Sequence, residues 1–372
     1  MKLGVFAFLV GIAFWSNIVA SGYVARWTLI CCVLPLLAWD IKPRLTAGHY
    51  LGLAFLIYSA VSIAWTPVAY DGWNQLIQFV FLGLAFCYGA ETKSLRTFYI
   101  GSALALTISG FFAVAQKFGY AGVDQYIPPG GLFGNKNFMG EAAALCIVAM
   151  IAERLWWYLP GLFLPLGLST CKGAMLGFAV ALMVYLWSRY RWVSISIAIA
   201  VALGALYGLG HPSMTHTLIQ RADAWKDALD GLTFWGRGVG SFYSAFPEFA
   251  TRMPPQLLTF PEAHNDTLQM VYELGPGALP FLGLEAYALY RARETERLVL
   301  IAFFVEGLTE FPLYMPFTSL VAALAIGHSF YRGGELQLSL GSGIPDADEL
   351  HIHRKVPRNA SKPASRKAHI PA

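Results

Sequence analysis

The sequence predicts an all-α, polytopic helical membrane protein, and three observations point there. Apolar residues make up 56% of the chain and charged residues only 13%, where a soluble domain carries about 25% charged. Mean hydropathy is +0.53. The apolar residues fall in repeated blocks of roughly 20, the length that crosses a bilayer as a helix. The net charge of +4 is spread over short loops between apolar runs, which makes it a topology signal. The lipid bilayer is therefore an expected partner and nucleic acid is not.

About twelve spans follow from this periodicity. They lie near residues 3–20, 22–39, 48–66, 74–90, 97–116, 138–152, 155–169, 173–188, 192–209, 264–290, 298–313 and 314–331. The first also reads as a signal peptide, because Lys2 precedes its apolar stretch and Ala20 is small. Five cysteines, Cys31, Cys32, Cys87, Cys146 and Cys171, sit in or beside apolar segments at no metal-ligand spacing and read as small core residues.

Loop charge orients the spans. With the N-terminus inside, the cytoplasmic turns carry Lys42 and Arg44, then Lys93 and Arg96, then Arg154, then Arg189 and Arg191, then Arg291, Arg293 and Arg297. The tail adds Arg332, Arg354, Lys355, Arg358, Lys362, Arg366 and Lys367. This is the positive-inside bias, and it puts both termini in the cytoplasm. Residues 1–332 are thus expected to form the bundle, including one long extracytoplasmic loop at 210–263. Within that loop Leu218, Ala222, Trp225 and Leu229 recur at helical spacing, which predicts an amphipathic helix on the membrane surface or over the bundle. Residues 333–372, rich in Gly, Pro, Ser and basic residues, are expected to be a disordered cytoplasmic tail.

On this topology several polar residues share the outer face. Asn135, Lys136 and Asn137 lie at the outer end of the sixth span, after Gly130, Gly131 and Gly134, which permit a tight loop. Lys172 lies in the tight turn after the seventh span, and Arg221 and Arg237 lie in the long loop. His264 opens the tenth span, followed by Asn265 and Asp266, with Glu273 further on and Glu141 in the sixth span. Each has two readings. His264 is an interfacial histidine or a general base, since imidazole titrates near neutral pH. Asn265 and Asp266 cap a helix or fix the imidazole tautomer. Lys172 snorkels to the interface or binds a phosphate. Arg221 forms a cation–π pair with Trp225, or clamps a second phosphate with its planar fork. Glu306 and Glu310, four apart in the eleventh span, mark a relay, a buried hydrogen-bond network or a transport path. Asp223, Asp227 and Asp230 surround Lys226 and read as a solvated face, so no metal site is expected.

Four stretches together resemble the O-antigen ligase / O-antigen polymerase superfamily. GLFGNKNFMG resembles its Gly-x-Phe-x-Asn-x-Asn loop, and STCKGA its Ser-x-Ser-Arg-Gly-Ala turn. RADAWKDAL with WGRGVGSF resembles its Arg-x-x-x-Trp helix and the following Gly-x-Gly-x-x-x-Phe, and AHNDTLQMVYELGPGAL its His-Asn helix entry with a downstream Glu-x-Gly. The likeness covers roughly residues 120–290. It implies a GT-C-type glycosyltransferase in the bacterial inner membrane that takes a glycan from a polyprenyl-pyrophosphate carrier on the extracytoplasmic side. The acceptor would be a lipid A-core or glycan hydroxyl, as in lipopolysaccharide or surface-polysaccharide assembly; a polymerase of the same superfamily is the alternative. His264 falls on the family's proposed base, and Arg221 on one pyrophosphate-binding arginine. Lys172 falls on the other, where lysine keeps the charge but loses the bidentate fork. The implied reaction is an inverting transfer without metal or cofactor. A transporter or flippase without covalent chemistry is the competing class, and Glu306 is the residue that favours it.

Overall fold

The computed structural model describes residues 1–14, 21–120, 125–252 and 262–331. These are all-α: among them there is no strand, only an isolated bridge between Ile127 and Asn135. The helices in chain order are α1 (Lys2–Ile12), α2 (Ser21–Ala38), α3 (Ala47–Ser62), α4 (Ala69–Glu91), α5 (Arg96–Lys117), α6 (Lys136–Ala152), α7 (Leu159–Ser169) and α8 (Lys172–Trp187). They continue with α9 (Arg191–Leu209), α10 (Pro212–Asp230), α11 (Phe242–Ala245), α12 (Asp266–Leu274), α13 (Ala278–Arg291), α14 (Glu294–Gly307) and α15 (Pro316–His328). Three segments, Ala47–Trp65, Arg96–Lys117 and Arg191–Leu209, are long and apolar enough to cross a membrane. Lys2–Ile12, Tyr23–Ala38, Lys172–Trp187 and Pro316–His328 are equally apolar in character but shorter. The first predicted span is shorter as a helix: α1 ends at Ile12, with Ala13 already extended, and residues 15–20 of that span lie outside the described residues, as does the predicted tail.

The centre follows from composition. A helix that is apolar all round belongs inside, and α6 from Met139 to Ile151 and α15 from Pro316 to His328 are buried at every position. Small residues let neighbours approach, because in such bundles close packing substitutes for the hydrophobic drive. A Cβ on Gly101 of α5 would lie 2.0 Å from the Gly4 carbonyl oxygen of α1, and one on Gly89 of α4 2.4 Å from the Leu324 carbonyl oxygen of α15. On α8, Gly173 and Gly177 stand one turn apart, the first against Glu310 and the second against Ala302 and Glu306.

Two later spans are corrected as well. The stretch 264–290 is not one helix: Gly275–Pro276–Gly277 divides α12 from α13. Gly275 adopts φ +52, which favours glycine, Pro276 has no N–H to donate, and a Cβ on Gly277 would strike Tyr58 at 2.0 Å. The stretch 298–313 stops helical winding at Gly307, so Glu310 lies on the turn between α14 and α15 rather than within a span. Its N–H still donates to the Glu306 carbonyl at 2.8 Å, so the one-turn spacing of the two carboxylates persists. The amphipathic helix of the long loop is present as α10. It packs with α11 on a small core of its own, Ala224, Ala228, Phe242, Phe246 and Tyr272 among them.

The α1–α5 crossing gives a direct test. Replacing Gly101 with Leu inserts a side chain where the opposing backbone already sits, and overpacking of this kind costs about 1–3 kcal/mol. A lower melting temperature in detergent is expected. An unchanged one contradicts this crossing.

Candidate functional site

Three consecutive residues build the site. His264 has a left-handed backbone, φ +50, a conformation that costs a non-glycine residue about 1–3 kcal/mol and persists only where the surroundings impose it. Here they do. Ala263 before it donates its N–H to Gln269 Oε1 at 2.8 Å and accepts from Trp225 Nε1 at 2.9 Å. Asn265 after it caps α12, accepting from Leu268 N–H at 2.9 Å. The kink directs the imidazole at the turn following α14, where His264 Nδ1 lies 3.2 Å from Glu310 Oε2 and its ring meets Phe311 edge-on at 4.8 Å. The same three residues clamp this turn: Asn265 Nδ2 donates to the Leu308 carbonyl at 3.4 Å, and Asp266 Oδ2 accepts from Leu313 N–H at 3.1 Å.

Arg221 reaches the turn from α10. Its Nη2 donates to Glu310 Oε1 at 3.0 Å and its Nη1 to the Thr309 carbonyl. Trp225, one turn along, donates to Ala263 as described, so the pair binds two sides of one centre, and of the two readings of Arg221 the cation–π contact with Trp225 is not formed. Glu310 is thus buried, 4% exposed, with one oxygen on a guanidinium and the other on an imidazole. Burial alone would raise its carboxyl, but the His264 and Arg221 donors outweigh that and hold it below the ordinary carboxylate range. Because an ionised carboxylate only accepts, the Nδ1 of His264 carries a proton, which assigns Nε2 as the basic nitrogen.

Lys172 is the first residue of α8 and is exposed. Its neighbours are at the centre: Cys171 Sγ lies 3.9 Å from Glu310 Oε1, and Gly173 abuts the Glu310 side chain. Lys136, at the start of α6, donates from Nζ to Thr170 Oγ1 at 3.3 Å, on the other side of the same tight turn. Asn135 caps α6, accepting from Asn137 N–H at 2.9 Å, and Asn137 is half-buried behind it. Lys136, Lys172 and Arg221 therefore stand on elements that converge near Glu310.

Two candidates hold the scaffold instead. Arg237 donates from Nε to the Gly231 carbonyl at 2.8 Å and stacks its guanidinium 4.3 Å over Phe249. Glu273 accepts from Gly240 N–H at 2.9 Å, Phe242 N–H at 3.4 Å and Gln269 Nε2 at 3.2 Å. The WGRGVGSF loop is thereby wrapped around the ELGPG break. Asn265 and Asp266 act on the turn rather than on the imidazole, whose tautomer Glu310 fixes. Asp227 and Asp230 both take Arg252, at 2.6 Å each.

Glu310 is the residue that sequence reasoning under-used. Its partners are 46 and 89 positions away. The available signal was a carboxylate two residues before Pro312 at the end of an apolar run. Behind it, Glu141 and Glu306 are 1% and 0% exposed, with no hydrogen-bond partner for either carboxyl among the described residues. A further feature of the bundle is an apolar cavity of about 370 Å³ among α3, α4, α13 and α15, lined by Leu53, Phe55, Phe79, Leu82 and Phe281. It adjoins, through Phe281 and Phe303, a cavity of about 160 Å³ beside Asp266 and Glu285.

No protein-family model matches this sequence, and no curated protein matches it either.

The residue before Ala263 makes this loop sensitive to pH. Burial, with Glu273 nearby, pushes the Glu262 carboxyl up to about 8. Its protonated form is the one the fold prefers, so stability falls as pH rises from the ordinary carboxylate range to about 8. Glu262→Gln is expected to flatten the melting temperature between about pH 5 and 8. An equal pH slope in wild type and variant contradicts the assignment.

Proposed function

We propose that the chain is a membrane glycosyltransferase of the GT-C type, related to the O-antigen ligases. In this reading it moves a glycan from a polyprenyl-pyrophosphate carrier to an acceptor hydroxyl on the extracytoplasmic side. The observation that carries the proposal is the Glu310 carboxylate joining His264 to Arg221 beside the start of α8, where Lys172 stands. A histidine with a carboxylate on Nδ1 is arranged as a base is in hydrolases and transferases. Arginine and lysine nearby suit a leaving group that gathers phosphate charge. The apolar cavity suits a hydrocarbon chain, and its size falls in the range of ligand pockets. In this reading the chain crosses the inner membrane about twelve times, with both termini cytoplasmic and the His264 end outside; the three helices long and apolar enough to cross a membrane support the membrane part of it.

The chemistry then runs in one displacement. The acceptor oxygen forms a bond to the anomeric carbon while its proton passes to His264 Nε2. The bond from that carbon to the phosphate oxygen breaks, and its electron pair leaves with the diphosphate. Attack opposite the leaving group inverts the centre. Arg221 and Lys172 meet the charge that grows on the diphosphate, and a fixed cation does this without reorganising.

A second reading, transport of a lipid-linked glycan, is favoured by Glu141 and Glu306. Ionisable residues buried inside an apolar bundle mark ion paths and proton relays.

Reconstituted protein given a polyprenyl-pyrophosphate glycan separates these. Transfer that needs a lipid A-core acceptor supports a ligase, chain growth without one a polymerase, and flux without a new glycosidic bond a transporter. His264→Ala is expected to lower transfer about 10²–10⁴-fold, and Lys172→Ala to raise the donor KM. Full activity in His264→Ala would refute the base assignment.

A further inference from the structure

We infer that Glu310 is a positioning residue handed from the phosphate clamp to the base when a diphosphate arrives, so that donor binding primes His264. The inference rests on the transferase reading above and extends it. Glu310 divides its two oxygens, Oε1 to Arg221 at 3.0 Å and Oε2 to His264 at 3.2 Å. The side chains of Arg221 and His264 are 16% and 20% exposed, while that of Glu310 is 5% exposed. An incoming anion therefore meets the two cation-forming groups before it meets the carboxylate between them.

A diphosphate offers Arg221 several charged oxygens that match the guanidinium fork, where Glu310 offers one. Once Arg221 turns to that ligand, Glu310 stays buried with a single strong donor. The other groups facing it are Asp266 at the start of α12, Cys171 before α8, Glu141 on α6 and Glu306 on α14. None of these is a cation, so none replaces Arg221. Lys172 begins the helix behind Cys171 and is exposed. The carboxylate that Arg221 had half neutralised then acts on His264 alone, and an unshared anion within ion-pair distance favours the imidazolium. The imidazole becomes a stronger base only when a leaving group is in place. An acceptor hydroxyl, or a water, is not activated before a donor is bound.

The test follows His264 itself. Protein carrying isotope-labelled histidine, in lipid nanodiscs, is titrated by NMR with and without inorganic pyrophosphate, the His264 signal being identified by its loss in His264→Ala. In wild type the His264 midpoint is expected to rise by about one pH unit on adding pyrophosphate. In Glu310→Gln, pyrophosphate is expected to bind at least as tightly, because Arg221 is already released, and the rise is expected to shrink to the part that the bound anion itself causes. Retained binding also reports that this variant is folded. If pyrophosphate binds wild type without moving His264, or moves it equally in Glu310→Gln, the handover is wrong and the base assignment is untouched. If pyrophosphate does not bind wild type at millimolar concentration, the diphosphate reading fails and the handover with it.

Discussion

The Glu310 carboxylate is the constraint on which the meeting of α10, α12 and the turn after α14 depends. A charge removed from water is costly unless donors replace the water, and removing one partner of such a pair typically costs about 3–5 kcal/mol. Glu310 receives two donors from opposite directions, His264 at the entrance to α12 and Arg221 on α10. Those donors are themselves held. Trp225 and Gln269 fix Ala263 on both sides of its peptide, and Asn265 and Asp266 grip the turn at Leu308 and Leu313. The left-handed backbone at His264 is therefore not an isolated irregularity. It is where the chain must bend for one histidine, one cap and one buried aspartate to reach the same turn.

This arrangement links packing to chemistry through small residues. Gly173 leaves room for the Glu310 side chain, and Gly177 does the same for Glu306 one turn deeper. A Cβ at Gly177 would meet the Ala302 carbonyl oxygen of α14 at 2.7 Å and one at Gly173 would meet Glu310 Cγ at 2.7 Å, so a larger residue at either position crowds the carboxylate beside it. Glu273 performs a comparable task at a distance. It binds the backbone of the Gly236–Phe242 loop, which braces the segment between α10 and α12. The acidic residues of this region thus divide by environment. Glu273 and Asp266, which accept from backbone N–H groups, hold structure, and Asp227 and Asp230 bind Arg252. Glu310 joins Arg221 to His264 at the centre, and Glu141 and Glu306 are buried without hydrogen-bond partners among the described residues.

Much of the fold was legible because apolar blocks and breaks are local signals. The helices α3 to α9 begin and end within a few residues of the predicted spans. The tenth span misled because apolar length alone does not register that Gly275 needs a positive φ or that Gly277 must pass Tyr58. The eleventh misled because the helix stops at Gly307, before the Thr309–Pro312 turn. At the site, His264 and Arg221 were readable as ionisable residues of one predicted face, and Asn265 as a cap. That Glu310 joins them was not readable, since the pairing spans 46 and 89 residues and is set by how α10, α12 and α14 meet. Arg237 looked like a substrate-binding residue for the opposite reason. Charge is visible in sequence, but the Gly231 carbonyl and the Phe249 ring that occupy it are not.

The most direct test of the central claim is a structure of the protein in lipid with a non-transferable polyprenyl-diphosphate glycan analogue. The account predicts diphosphate oxygens within hydrogen-bond distance of Arg221 and Lys172, and the anomeric carbon on the side of His264 Nε2. It also predicts that Glu310 keeps its contact with His264 Nδ1. A diphosphate bound elsewhere in the bundle, with Arg221 and Lys172 both out of contact, would contradict it.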